Sequence, residues 1–350
     1  MRIIIQLIFG LKVFFKKLNF RNYTKIVKFL WKRYVLGKFV PFSVVFSLTY
    51  KCQCSCVHCS VGDYEQKGKD LFVEEVISVL DYINMWGPVK VTFFGGEPLL
   101  HNDLILFVRY ASRLGIKTSI DTNGILLNEN TVLALKGAGI GNINVSIDSS
   151  CEQTHDMLRQ KEGCFKSAVR GIEFCVKHEI PCLISTYASK RAIREDDLKK
   201  IVTLGKKLKV DGVKILFPIL SGQWREADEE MLSPEEEKYV MAIVDPSFVY
   251  IEDALQMVTR KGKGCSALDK NLVYISPYGD IQPCPAIPIT FGNIRDTNID
   301  RIIMYMENHP FFSKYKSCEK CLMNEKRFRE EYHLFKSGKE LPLDVKIFQL

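Results

Sequence analysis

Hydrophobic and polar positions recur along this chain in two rhythms, and the change from one to the other lays out the elements. From residue 42, short apolar or alternating runs stand at Ser43–Leu48, Lys90–Phe94, Lys117–Asp121, Asn142–Ile147, Pro181–Thr186 and Gly212–Phe217. Between them, apolar residues fall at helical spacing near Val73–Met85, Leu104–Leu114, Asn130–Ala138, Phe165–Lys177 and Asp196–Leu208. The first rhythm predicts strands and the second predicts helices. Gly115 and Gly139 follow two of the helices and Asp196-Asp197 opens another, as stop and start signals do. Six βα-type units imply a parallel sheet with right-handed crossovers. The fold class is α/β, and a partial or full βα barrel and an open doubly wound sheet both satisfy the pattern.

The first forty residues follow a different pattern and predict two helical pieces that part near Asn19–Asn22. In the second, Tyr23, Ile26, Val27, Leu30, Trp31 and Tyr34 recur at one helical face, with Arg21, Lys25, Lys28 and Lys32 on the other. Such a basic amphipathic helix docks on an anionic membrane surface or an acidic partner, or it packs its apolar stripe on the main domain. Pro41 closes the segment. After residue 222 a charged stretch, with Ser233-Pro234-Glu235-Glu236 as a helix start, bridges to a second unit. There Leu272–Ser276, Pro277-Tyr278-Gly279-Asp280 and Ile281-Gln282 predict a β-hairpin. The residues after Cys321 carry no further motif.

Composition changes this picture in two places. The 350 residues are 47% hydrophobic and 26% charged, enough for a large core and a smaller second unit. The net charge of +8 is concentrated at one end: residues 1–62 hold eleven Lys and Arg and no acid, which leaves 38 basic against 41 acidic residues in the remainder. A uniform nucleic-acid-binding surface is therefore not supported, and no nucleic-acid partner is expected. Ile3–Phe15 is interrupted by Gln6, Gly10 and Lys12 and followed by Lys16-Lys17, so neither a membrane span nor a secretory signal is expected there. The expected location is cytoplasmic, with membrane association through the N-terminal helix as an option.

The twelve cysteines form the second departure. Four lie at 52, 54, 56 and 59, and four more at 265, 284, 318 and 321. Cys151, Cys164, Cys175 and Cys182 stand singly and are expected to be small buried apolar residues. In a chain of this length without an export signal, grouped cysteines point to metal. Cys52, Cys56 and Cys59 have the spacing C-x3-C-x2-C directly after the first strand. Thiolates hold iron–sulfur clusters, and three ligands to a four-iron cube leave one iron open. Structural zinc, held by all four cysteines or by three with His58, is the alternative. In a parallel βα fold, chemistry collects at the C-terminal strand ends. The polar and glycine-rich signals fall there: Gly95-Gly96-Glu97-Pro98, Thr122-Asn123-Gly124, Asp148-Ser149, Tyr187-Ala188 and Ser221-Gly222.

The triad, followed some forty residues later by Gly95-Gly96-Glu97-Pro98, resembles the radical S-adenosylmethionine (SAM) superfamily. The resemblance implies a partial (β/α)6 TIM-like barrel. It implies that Cys52, Cys56 and Cys59 bind a [4Fe–4S] cluster whose fourth iron takes the amino and carboxylate groups of SAM. Reductive cleavage of SAM then gives a 5′-deoxyadenosyl radical that abstracts a substrate hydrogen. His58 stands where the family usually has an aromatic residue, and Cys54 is expected to point away from the cluster. Gly95, Gly96, Glu97 and Pro98 would meet the SAM methionine, and Asn123, Ser146 and Asp148 its ribose and carboxylate. Thr154–Arg159 resembles a loop of this branch in which an arginine, here Arg159, helps bind SAM.

Cys265, Cys284 and the later Cys318-x2-Cys321 resemble the C-terminal twitch or SPASM extensions that hold auxiliary clusters. They imply one auxiliary [4Fe–4S] cluster, fully ligated, within a small α+β extension. The domains implied are a basic helical extension at 1–41, a radical SAM barrel at 42–222, a bridge at 223–262, an auxiliary cluster domain at 263–325 and a tail at 326–350. The expected function is oxidative modification of, or bond formation on, a peptide, a cofactor or a hydrophobic metabolite. Ferredoxin or flavodoxin is the expected electron donor. The rival reading is a non-catalytic, zinc-stabilised or redox-sensing scaffold.

Overall fold

The structure is a computed structural model that describes residues 20–64, 68–245, 247–251, 265–318, 320–336 and 340–348. The first of the two expected N-terminal helical pieces and most of the later half of the bridge lie outside the described residues. Six parallel strands stand in sequence order: β1 (Ser43–Thr49), β2 (Lys90–Gly95), β3 (Lys117–Thr122), β4 (Asn142–Ser146), β5 (Cys182–Tyr187) and β6 (Gly212–Leu216). Each pairs with its successor, from Ser43 opposite Lys90 to Tyr187 opposite Leu216. A short β7 (Val249–Ile251) extends the sheet beyond β6 in parallel. The expected strands and crossover helices are all present, and the fold is a partial βα barrel.

Alternation along the strands separates a dry face from a wet one. Val91, Phe93, Ile120, Ile143, Val145, Ile184 and Val213 face the helices and form the main core. The lumen is polar. Thr92 bonds Ser119 at 2.9 Å, Asn142 bonds Asn144 at 3.0 Å, and Asp121 takes Asn144 and, at 3.8 Å, Lys214. A lumen lined this way suits a polar guest more than a packed interior.

The C-terminal unit is joined to the barrel, not appended to it. β8 (Leu272–Ile275) pairs in parallel with β1, Ser43 opposite Leu272, and β9 (Ile281–Gln282) returns antiparallel to it. At the other edge, Asn324 bonds Leu220 N at 2.9 Å and Pro218 O at 2.9 Å, and Arg329 grips Asp228. The unit thus spans the gap between the first and sixth strands. The described residues after 325, in a segment expected to be a tail, contribute to this core. Phe328, Tyr332, Leu343 and Phe348 are buried in it, and β11 (Leu343–Asp344) pairs with β10 (Ile289–Thr290). Aromatic spacing inside a charged segment hid that role.

The helix at the N-terminus, α1 (Phe20–Leu30), continues through a π-helical turn, Trp31–Val35. It packs by the face opposite to its apolar stripe. Asn22, Lys25 and Phe29 are buried, whereas Tyr23, Val27, Leu30, Trp31 and Tyr34 are exposed. Of the stripe, Ile26 alone is half-buried, packed against the cluster of Phe29, Val40 and Val89, so the stripe as a whole does not pack on the main domain.

Candidate active site at the strand ends

The loop after β1 carries Cys52 to Cys59, and a helix absent from the sequence reading holds it. Residues 152–159 form α5 (Glu152–Arg159), not a loop. Gln160 ends it in the left-handed region, and Arg159 sits in its last turn, where a cation suits the helix dipole. Its last carbonyls accept from the cysteine loop: Ser55 N reaches Arg159 O at 3.2 Å and Val57 N reaches Leu158 O at 3.0 Å. Those bonds supply the partners that a helix C-terminus lacks. They also aim the Arg159 guanidinium at Cys56 Sγ, 3.6 Å away.

Cys52, Cys54 and Cys56 form one hydrogen-bonded group with Cys164. Cys54 N donates to Cys52 Sγ at 3.4 Å, and Asn123 Nδ2 approaches the same sulfur at 3.8 Å. Cys54 does not point away. Its thiol contacts Cys164, Cys52 and Cys56, and these bonds hold it protonated, well above the ordinary thiol range. Conversely, the Cys54 thiol, together with Asn123 and Arg159, pulls Cys52 down to about 6, and Cys56 is lowered for similar reasons. Burial pushes Cys59 up to about 11. The sequence placed Cys164 among inert core cysteines. It is buried beside Cys54, and no spacing in the sequence links residues 110 positions apart. Cys151 is exposed, contrary to expectation, because it precedes α5; Cys175 and Cys182 are buried as expected.

Asp148, after β4, is the electrostatic centre. It accepts from Arg159 Nε at 2.6 Å and lies 3.4 Å from His58 Nε2. Burial alone would raise its carboxyl, but Arg159 and then His58 and His155 hold it below the usual range. His58 is buried against Tyr187, ring centroids 4.8 Å apart, and Trp224 at 5.6 Å, and burial lowers it to about 4. Tyr187 and Trp224 were not separable from packing residues by sequence. Ser146 ends β4 half-buried at the same rim. Removing one partner from a buried pair is costly, so Asp148→Asn is expected to lose about 3–5 kcal/mol of stability. A D148N/R159M double variant should recover more than half of it. Urea midpoints under anaerobic conditions measure both.

Gly95-Gly96-Glu97-Pro98 plays a more structural part than its composition suggests. A Cβ at Gly95 or Gly96 would overlap the backbone carbonyls of Thr49, Tyr50 and Lys51, so glycine lets β2 close on β1. The N–H groups of Gly96 and Glu97 already donate to Thr49 and Lys51, both at 2.8 Å. Pro98 opens a 3₁₀ turn, and Glu97 caps it by accepting from Leu99 N at 3.1 Å. The Glu97 carboxylate also takes Thr122 Oγ1 at 2.7 Å and Asn123 N at 2.8 Å. It is fully buried, which pushes it up to about 7, and it latches the ends of β2 and β3 together.

The second cysteine set meets in the C-terminal core. Cys265 and Cys284 are buried, and Cys318 and Cys321 pack against the same cluster. The Cys321 thiol and the N–H groups of Leu268, Leu322 and Ala267 pull Cys265 down to about 7. Among the described residues no group of three or more His, Cys, Asp or Glu side chains is set to hold a single metal ion. Both sets nonetheless fit thiolate-bound clusters in their donor chemistry: directed N–H and S–H donors hold Cys52 and Cys56 low in the first and Cys265 in the second, whereas burial pushes Cys318 up and the Cys265 thiol pushes Cys321 up.

Comparison with known proteins agrees with this chemistry. The family model of the radical SAM superfamily matches residues 46–217, and that of an iron–sulfur cluster-binding domain, SPASM, matches residues 265–322. An AdoMet-dependent heme synthase of Methanosarcina barkeri is 27% identical over 307 residues, covering 80% of this chain and 86% of the relative. One from Oleidesulfovibrio alaskensis is 25% identical over 79% and 77%. The solved structure of Streptococcus suis SuiB bound to S-adenosylmethionine superposes with a TM-score of 0.65 at 17% identity, covering 87% of this chain and 80% of that one. This likeness is one of fold. The chain belongs to the radical SAM superfamily, in the branch with a C-terminal SPASM domain, and is an enzyme whose cofactors are [4Fe–4S] clusters and S-adenosylmethionine.

Proposed function

We propose that this enzyme performs radical SAM chemistry on a tetrapyrrole of the haem class. The observation that carries the substrate reading is the kinship with heme synthases along four-fifths of the chain. Cys52, Cys56 and Cys59 would hold the first cluster, and Cys265, Cys284, Cys318 and Cys321 the auxiliary one. When bound, the first cluster and SAM supply a 5′-deoxyadenosyl radical for hydrogen abstraction, and the auxiliary cluster supplies an electron acceptor. Arg159 favours the thiolates of Cys52 and Cys56, Asn123 that of Cys52, and Cys54 stays a neutral donor among them. Gly95, Gly96, Ser146, Asn123 and Asp148 would line the SAM pocket, Arg159 and His58 would close its inner wall, and Glu97 would position Asn123. Tyr187 and Trp224 extend that wall toward substrate. The polar lumen beneath suits a guest that carries polar groups. A ferredoxin or flavodoxin would deliver the reducing electron.

Anaerobic protein should contain about eight irons per chain and release 5′-deoxyadenosine with dithionite and SAM. An iron tetrapyrrole with carboxylate side chains should raise that release. Stimulation by a short peptide and not by the tetrapyrrole would overturn the substrate reading. Cys321→Ala should keep SAM cleavage, lose roughly half the iron and form no oxidised product. Iron assay and product chromatography decide this.

A further inference from the structure

The exposed apolar face of α1 is not a face that failed to pack. The opposite face is fixed to the barrel by directed bonds. Asn22 Nδ2 reaches Gly115 O at 2.8 Å, Lys25 Nζ reaches Asn84 Oδ1 at 2.6 Å, and Lys32 Nζ reaches Met85 O at 2.8 Å and Trp86 O at 3.0 Å. Arg33 holds Val40 O at 2.6 Å and Asn271 Oδ1 at 2.7 Å. Rolling the helix to bury its stripe would break all of these. Val27 (66% exposed), Trp31 (57%) and Tyr34 (62%) therefore stay in solvent, with Leu30, Val35 and Leu36 beside them. Lys28 and Lys38 flank this patch in exposed positions, and no acidic residue precedes Asp63.

Every anchor of the helix precedes a strand. Asn84 to Trp86 lead into β2, Gly115 into β3, Val40 into β1 and Asn271 into β8. The patch thus covers the floor of the barrel, and the cysteine loop opens at the other end. Seven residues of β1 separate the two, about 20 Å at ~3.3 Å per residue.

We propose that this face is a docking surface for an anionic lipid bilayer, and that it seats the enzyme floor-down, with the SAM site facing the aqueous phase. A wide apolar face that carries Trp and Tyr, on a segment whose own charges are all basic, matches the headgroup boundary. Exposed lysines add attraction for anionic lipid, which salt weakens. The orientation has a consequence for substrate. A guest enters from water, and docking places the enzyme without opening a path from the bilayer to the lumen.

The test uses the full-length enzyme with its clusters, phosphatidylcholine vesicles, and the same vesicles with phosphatidylglycerol. The enzyme should sediment with the phosphatidylglycerol vesicles only, and less so at high salt. V27E/W31E changes exposed side chains alone and should lower partitioning about tenfold or more, with circular dichroism, iron content and 5′-deoxyadenosine release unchanged. Leu133→Glu, on an exposed apolar position elsewhere, should bind as wild type. Three results would overturn the proposal. The first is no sedimentation of the wild type. The second is unchanged binding of V27E/W31E, including the case in which removal of residues 1–19 alone abolishes it. The third is a wild-type dimer in sedimentation velocity that V27E/W31E dissociates.

Discussion

Cys56→Ala should purify as a folded protein with about half the wild-type iron and no detectable 5′-deoxyadenosine. Cys56 is the buried member of the proposed triad, and its sulfur takes the Arg159 guanidinium at 3.6 Å. Without it the loop keeps two ligands and a buried cation with one fewer anion to face. The auxiliary set lies in a separate core and shares no residue with this loop. Loss of iron in steps, and not all at once, is what distinguishes two independently held clusters from a single cooperative metal scaffold. Iron and sulfide assays with the visible spectrum measure it. Full iron content in the variant would remove Cys56 from the ligand set.

Gly222→Ala should be nearly as damaging without touching a single sulfur. Gly222 has φ +57°, and an added Cβ would overlap the Cys59 carbonyl oxygen and the Ser60 backbone. The next residue, Gln223, donates its N–H to that same Cys59 carbonyl at 3.0 Å. The left-handed backbone alone costs a non-glycine residue about 1–3 kcal/mol. The overlap must be relieved by moving the Cys59 loop. Displacing a reacting group by ~1 Å costs about 100-fold in rate, so 5′-deoxyadenosine release should fall at least that far. Gly137→Ala is the matched control: its Cβ would enter open space on a helix, and it should stabilise by about 0.5–1 kcal/mol. Thermal midpoints and initial rates of the two variants, side by side, separate a general alanine effect from one at the site.

The strands and crossover helices were legible because each writes its own period, and the motifs were legible because they end strands. Gly95-Gly96-Glu97-Pro98 shows the limit. Its place beside the cysteine loop could be read, but that Glu97 turns inward to hold Thr122 and Asn123 could not, since both partners come from a third strand. Residues 152–159 were missed as a helix because one short amphipathic stretch beside Asp148 also reads as a loop. The floor helix is a further case. Periodicity identified its two faces correctly, but which face docks was decided by carbonyls of Asn84, Met85 and Trp86, and acceptors on another element leave no trace in the helix's own pattern. Cys54 and Cys164 meet for the same reason.

The pairing of β8 with β1 bears on how electrons would travel. One strand leads into the first cysteine loop, and its hydrogen-bonded neighbour opens the hairpin flanked by Cys265 and Cys284. Under the ligand assignment proposed above, the spacing between the two clusters is then a property of one continuous sheet. Domain swinging cannot lengthen it, and a substrate entering the lumen cannot wedge it apart. Control over the transfer would have to come from the relative potentials of donor and acceptor, so residues around Cys265 and Cys321 that tune hydrogen bonds to sulfur become the adjustable part of the circuit.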